Sequence, residues 1–149
     1  MDLVANLSLG FGVAFTFTNL LYCLAGCILG TLIGVLPGIG PVATIAMLLP
    51  ATYSLPPVSA LIMLAGIYYG AQYGGSTTAI LVNLPGVSAS VVTVIDGYPM
   101  ARKGSAGPAP AAAGLGSLFA GCGGTLLLAA SSSPLVAVAL QFRPAEYLA

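Results

Sequence analysis

Charge is what this sequence has least of: six residues in 149, or 4%, with no histidine and no tryptophan. Soluble domains carry roughly 25% charged residues, so water is excluded as the main solvent. The charges are Asp2, Asp96, Arg102, Lys103, Arg143 and Glu146, and none falls between Leu3 and Ile95. Without a basic surface the chain has no means of holding nucleic acid, and without an acidic tail it has none of attracting a basic soluble partner. Lack of histidine also removes zinc sites of the Cys/His type, so Cys23, Cys27 and Cys122, each inside an apolar run, read as small hydrophobes. Metal ligation is expected nowhere. A nucleophile–base pair is missing for the same reason: serines and threonines abound, but no histidine, lysine or carboxylate accompanies them from Leu3 to Ile95, so an enzyme is not expected.

What is present is apolar: 58% of residues are hydrophobic. Such a composition belongs in a bilayer, where a crossing helix takes about 20 apolar residues. The expected fold class is an all-α membrane protein with several transmembrane helices. Runs such as Leu20-Leu21-Tyr22-Cys23-Leu24-Ala25-Gly26 do not alternate, which argues against a barrel. Full spans are expected over Asn19–Leu36, Val58–Gly75 and Ala109–Ala130, the last closed by Ser131 to Pro134. Leu3–Phe17, punctuated by Asn6, Gly10 and Gly12, suits a short interfacial helix. It starts without the basic residues of a signal peptide, so it is expected to be retained. Val42–Leu49 and Ser76–Leu84 are too short to cross. Asp96 to Gly104, with the adjacent cations Arg102 and Lys103, reads as a cytoplasmic loop. Leu135–Phe142 follows without a helical partner, and the chain reads as truncated.

Glycine and proline carry the pattern. Gly26, Gly30, Gly34 and Gly38 recur every four residues, as do Gly66, Gly70 and Gly74, and Gly116, Ala120 and Gly124 make a third stripe. Small residues at this spacing let membrane helices approach closely, either inside one bundle or across a dimer. Two Leu-Pro-Gly triplets, at Leu36-Pro37-Gly38 and Leu84-Pro85-Gly86, interrupt helix. An interrupted backbone in lipid must be satisfied by protein, water, ion or ligand, and paired interruptions point to a transporter's binding site. An ordinary kink or turn is the alternative. After Gly40, Pro41 suits a first helical position, and Ser88 and Ser90 are candidate caps after Gly86. Each helix start would offer partial positive charge to an anion.

Tyr69, Gln72, Ser76 and Asn83 share a helical face, with Thr77 and Thr78 beside them. Such a polar stripe in a membrane faces a cavity or hydrogen-bonds to a neighbouring helix. The candidate substrate- or ion-binding residues are therefore Gly38, Gly40, Gln72, Ser76, Thr77, Thr78, Asn83, Gly86 and Ser88. Catalytic residues and cofactors are expected nowhere, and these neutral oxygens suit a hard cation such as sodium, as coupling ion, better than a proton.

Three segments carry a family resemblance: Gly34-Val35-Leu36-Pro37-Gly38-Ile39-Gly40-Pro41, the long run from Tyr68-Tyr69-Gly70-Ala71-Gln72 through Asn83-Leu84-Pro85-Gly86, and Asp96-Gly97-Tyr98-Pro99-Met100-Ala101. The chain resembles the TctA family, the large membrane subunit of tripartite tricarboxylate transporters, over essentially all of residues 1–149. It corresponds to roughly the first third of a family member. The resemblance implies a multi-pass permease of the bacterial inner membrane that imports citrate or related carboxylates down an ion gradient. Its implied partners are a small TctB-like membrane subunit and a TctC-like periplasmic solute-binding protein. Val87 stands where the family usually has an acidic residue, and Arg143 where it usually has glycine. A membrane scaffold that uses the glycine stripes to pack partners is the alternative from another class, and a channel the third, although no repeated polar ring supports it.

Overall fold

A computed structural model describes the backbone of residues 3–139 and the side chains of residues 5–131. Among the described residues all regular structure is helical: α1 (Leu3–Ala14), α2 (Phe17–Gly34), α3 (Pro41–Leu48), a 3₁₀ turn (Leu49–Thr52), α4 (Pro57–Val82), α5 (Ser90–Met100), a π-type turn (Ala101–Ser105) and α6 (Pro108–Ala139). Two helices among the described residues are long and apolar enough to cross a membrane, Phe17–Gly34 and Pro108–Ser131, with mean hydropathies of 1.7 and 1.6. Arg143 and the whole Leu135–Phe142 segment lie outside the described side chains.

The central contact is α2 against α4, and glycine makes it. Gly26, Gly30 and Gly34 lie against the backbone of Met63, Ile67 and Ala71, while Gly66, Gly70 and Gly74 lie against that of Cys23, Cys27 and Thr31. A Cβ at Gly66 would come within 2.6 Å of the Cys23 carbonyl oxygen, and one at Gly74 within 2.6 Å of that of Thr31. The two helices therefore mesh backbone to backbone, small residues inward. Large ones point out: Leu20, Leu21, Leu24, Ile28 and Leu32 of α2 are exposed, as are Leu115, Leu118, Phe119 and Leu126 to Leu128 of α6. This inverts the pattern of a soluble helix and fits lipid, which gives apolar side chains no reason to hide. The buried apolar set is small, with Ile67, Ala71, Ala79 and Ile80 at its centre.

Polar side chains pin the pair at both ends. Ser59 donates to the Asn19 Oδ1 at 2.7 Å, and Asn19 Nδ2 donates to the Val13 carbonyl at 2.8 Å and to Thr16 Oγ1 at 3.0 Å. This node, which the sequence pattern did not single out, ties the turn between α1 and α2 to the start of α4. At the other end the Thr78 hydroxyl lies 3.0 Å from the Val35 carbonyl and 3.1 Å from that of Gly74.

Several sequence expectations are corrected. The span expected over Val58–Gly75 is part of the longer α4, which runs through Gly74-Gly75 and absorbs most of the short segment expected at Ser76–Leu84. Within α4 Ser76, Thr77 and Thr78 donate to the carbonyls of Gln72, Tyr73 and Gly74 at 3.1, 2.9 and 3.1 Å. At 26 residues α4 is about 39 Å long, but its Tyr, Gln, Ser, Thr and Gly content keeps it out of the two apolar spans. Asp96 to Gly104 is not an open loop: helix α5 continues through Pro99 to Met100, and the chain turns only after it, at Gly104 with φ +93°. The Arg102 guanidinium sits 6.0 Å from the Tyr98 ring centre, one turn back. Helix α6 also passes through Ser131 to Pro134 instead of ending there, and Ser131 Oγ donates to the Leu127 carbonyl at 2.7 Å. Finally, Gly116 and Gly124 touch nothing among the described residues; α6 meets α4 through Gly114 and Gly121, which receive the rings of Tyr73 and Tyr69.

Candidate functional site

Helix α2 ends at Gly34, and the next residues turn tightly: Val35 N–H donates to the Thr31 carbonyl at 3.0 Å, Leu36 to Ile33 at 3.0 Å and Ile39 to Leu36 at 3.2 Å. Gly38 has φ +90°, a conformation that a side chain strains, which explains the glycine after Pro37. Gly40 then caps α3 in extended conformation with Pro41 in the first turn. The first helical bond is Thr44 N–H to the Gly40 carbonyl, so the amides of Val42 and Ala43 point out of the helix start unengaged.

The second Leu-Pro-Gly begins where α4 stops. Asn83 adopts the left-handed conformation, φ 62°, and terminates the helix. It therefore leaves the polar stripe to which the spacing assigned it. Asparagine tolerates this backbone better than alanine does. Asn83→Gly is expected to keep the thermal midpoint and Asn83→Ala to lose about 1 kcal/mol in unfolding measurements. The chain then folds back: a Cβ at Gly86 would lie 2.7 Å from Gly75 Cα and 3.4 Å from the Gly34 carbonyl oxygen. Only glycine lets this loop lie across both α4 and the end of α2. Ser90, 1% exposed, donates to the Val87 carbonyl at 2.8 Å and accepts from the Val87 amide at 3.3 Å. It closes the turn from within α5 rather than capping it, and Ser88 is exposed in the turn instead of being the cap residue, which is Ala89.

This fold-back brings both interruptions to one cavity of about 410 Å³, lined by Gly38, Gly40, Pro41, Val42, Tyr68, Gln72, Gly86, Val87, Ser88 and Ala89. Five of the nine candidate residues meet there: Gly38, Gly40, Gln72, Gly86 and Ser88. The lining offers the starts of α3 and α5, a hydroxyl and an amide, with no ionisable acid or base except the Tyr68 phenol. Gln72 Oε1 is buried without a hydrogen-bond partner. Such an arrangement can solvate an anion with neutral donors alone. Thr77 and Thr78 instead line a second, nearly apolar cavity of about 360 Å³ with Val35, Leu36, Pro37, Leu81, Val82 and Leu84, beside the C-terminal ends of α2 and α4. Ser76 and Asn83 line neither. Tyr68, absent from the sequence candidates, was within reach of the argument, since it stands one turn before Gln72 on the same face of α4. No cluster of three or more metal-ligating acidic, cysteine or histidine side chains occurs among the described residues.

Comparison with known proteins bears on what this site serves. The family model described as the tripartite tricarboxylate transporter TctA family matches residues 20–149. A protein of Agrobacterium vitis, described as an uncharacterized 52.8 kDa protein in the TAR-I ttuC' 3' region, is 67% identical over 149 residues. That alignment covers 100% of this chain and 30% of the relative, so the chain spans under a third of the relative's length. No solved structure matches. The family match takes in α2 from Leu20 on, all of α3 to α6 and both Leu-Pro-Gly interruptions, and the chain belongs to the tripartite tricarboxylate transporter TctA family.

Proposed function

We propose that this chain is the N-terminal part of the transmembrane permease subunit of a tripartite secondary transporter, and that it imports citrate or a related carboxylate across the bacterial inner membrane down a sodium gradient. A small membrane subunit and a periplasmic solute-binding protein would complete the system. The observation that carries the reading is the convergence of both helix interruptions on one cavity without a cationic side chain. A carboxylate entering there would be met by the amides at the start of α3, the turn before α5, and the Ser88 hydroxyl. In this reading α2–α3 and α4–α5 are two discontinuous membrane elements whose joints form half of the substrate site. The scaffold alternative keeps only the α6 stripe of Gly116, Ala120 and Gly124, because the glycine faces of α2 and α4 pack on each other.

Gly40→Leu tests it. Gly40 has φ −70° and nothing within 4 Å of a Cβ, so leucine enters without backbone strain and fills the cavity. Stability should change by less than about 1 kcal/mol, the scale of exchanging a cap residue. Carboxylate uptake by the full-length permease with its partner subunits should fall at least about tenfold, the consequence of blocking a site whose ligand cannot approach the helix start. Undiminished uptake with normal membrane levels would remove the cavity from the transport path.

A further inference from the structure

We infer that Arg102 and Lys103, with Tyr98, anchor this segment at the cytoplasmic surface by taking the headgroups of anionic phospholipids; the inference rests on the membrane reading above. The packing fixes which turns share a side. Gly26, Gly30 and Gly34 of α2 meet Met63, Ile67 and Ala71 of α4 in rising order, so these two helices run parallel. Gly114 and Gly121 of α6 receive Tyr73 and Tyr69 of α4 in falling order, so α6 runs the opposite way. The end of α4 and the turn from α5 to α6 therefore lie at one surface. The α1–α2 turn and the residues between α3 and α4 lie at the other.

Arg102 and Lys103, the only basic residues among the described side chains, both stand in the α5–α6 turn. Basic residues gather on the cytoplasmic flanks of membrane helices, and the bias counts in short loops beside a span. Here the turn is short, and the apolar span Pro108–Ser131 begins just after it. At the other surface neither turn holds a lysine or arginine, and Arg143, which follows α6 in sequence, is one cation against two. Gly104, at φ +93°, bends the chain and leaves both cations exposed. Neither has a carboxylate partner among the described residues. Arg102 instead donates to the Tyr98 hydroxyl at 3.3 Å, with its guanidinium 6.0 Å from the ring centre. A tyrosine beside a cation at a helix end suits the membrane interface. Beyond the turn α6 exposes Leu115, Leu118 and Phe119, a surface for acyl chains. Unpaired positive charge next to apolar surface matches a lipid that has both parts, and anionic lipid gives the cytoplasmic leaflet its negative potential.

Sided labelling and lipid quenching test this together, in a full-length permease whose native cysteines are replaced by alanine. Ala106→Cys should react with a membrane-impermeant maleimide only in inside-out vesicles, and Ser54→Cys, which lies between α3 and α4, only in right-side-out ones. A fluorophore at position 106 should be quenched by phosphatidylglycerol spin-labelled high on its acyl chain at a lower mole fraction than by phosphatidylcholine so labelled. Adding Arg102→Gln and Lys103→Gln should raise the phosphatidylglycerol fraction for half-quenching about tenfold, the scale of two surface cations, and leave that for phosphatidylcholine unchanged. Labelling of Ala106→Cys in right-side-out vesicles, or in neither kind, would overturn the cytoplasmic placement. Equal quenching by the two lipids, or quenching that the double substitution does not alter, would overturn the lipid site. Were the double substitution to release the small membrane subunit with quenching unaltered, the turn would be a protein contact instead. Recovery of the permease in the soluble fraction would overturn the membrane reading itself.

Discussion

Leucine at Gly70 is expected to keep α2 and α4 from seating against each other, with a large loss of stability. A Cβ there already falls on the Cys27 carbonyl oxygen and 2.8 Å from the Thr31 amide nitrogen, and both obstacles are backbone. Neither atom can turn aside as a side chain would. The helices must move apart, and that opens the contacts of Gly26, Gly30, Gly66 and Gly74 in the same step. Two costs then add. Overpacking is worth about 1–3 kcal/mol by itself, and the lost close approach removes the dispersion contacts on which association in lipid depends. A total near or above 3 kcal/mol follows, read as a lowered thermal midpoint of the detergent-purified full-length permease and as faster proteolysis. Gly10→Ala in α1, where a Cβ meets nothing within 4 Å, is the matching control and should cost nothing, since alanine is the better helix former. A Gly70→Leu protein with the wild-type midpoint would mean that α2 and α4 do not mesh this way.

The two helices that carry this contact were largely legible before any coordinates. A glycine every fourth residue on an apolar run has few uses besides close packing, and the packed faces of α2 and α4 are those the spacing marks. The stripe misleads at its ends for local reasons. Gly38 continues the spacing of Gly26, Gly30 and Gly34, but helix α2 has stopped at Gly34, so Gly38 serves a turn instead. On α6 the equivalent stripe of Gly116 and Gly124 is not the contact face, because the knobs that reach α6 are the tyrosines of α4, and these require room at Gly114 and Gly121. Helix ends were harder to read. Helix α4 runs past the double glycine at Gly74-Gly75 while Gly74 packs on the α2 backbone, a tertiary effect that residue type alone does not reveal. The site divided similarly: Gly38, Gly40, Gln72, Gly86 and Ser88 converge, whereas Thr77 and Thr78 fall on the far side of the α2 terminus. That separation depends on the loop after Asn83 folding back over Gly75, a long-range fact with only a local trace in the sequence, namely the need for glycine at position 86.

Dependence on sodium is the second large effect expected, and it follows from what the cavities contain. Coupling to protons needs a group that gains and loses one within the membrane. From Leu3 to Ile95 no carboxylate, histidine or lysine exists, and Asp96, on the exposed side of α5, lines neither cavity. Val87 occupies the place after the second Leu-Pro-Gly where an acidic residue would have served. Neutral oxygens are left, and they suit a hard cation. Thr77 and Thr78, whose hydroxyls donate to the carbonyls of Tyr73 and of Val35 or Gly74, line the nearly apolar second cavity and so offer a cation no polar cage there. In vesicles holding the complete transporter, a pH gradient without sodium should leave carboxylate uptake at background, and an inward sodium gradient should raise it at least about tenfold, as expected when transport needs the ion's coordination energy. Full uptake driven by the pH gradient in sodium-free medium would overturn sodium coupling.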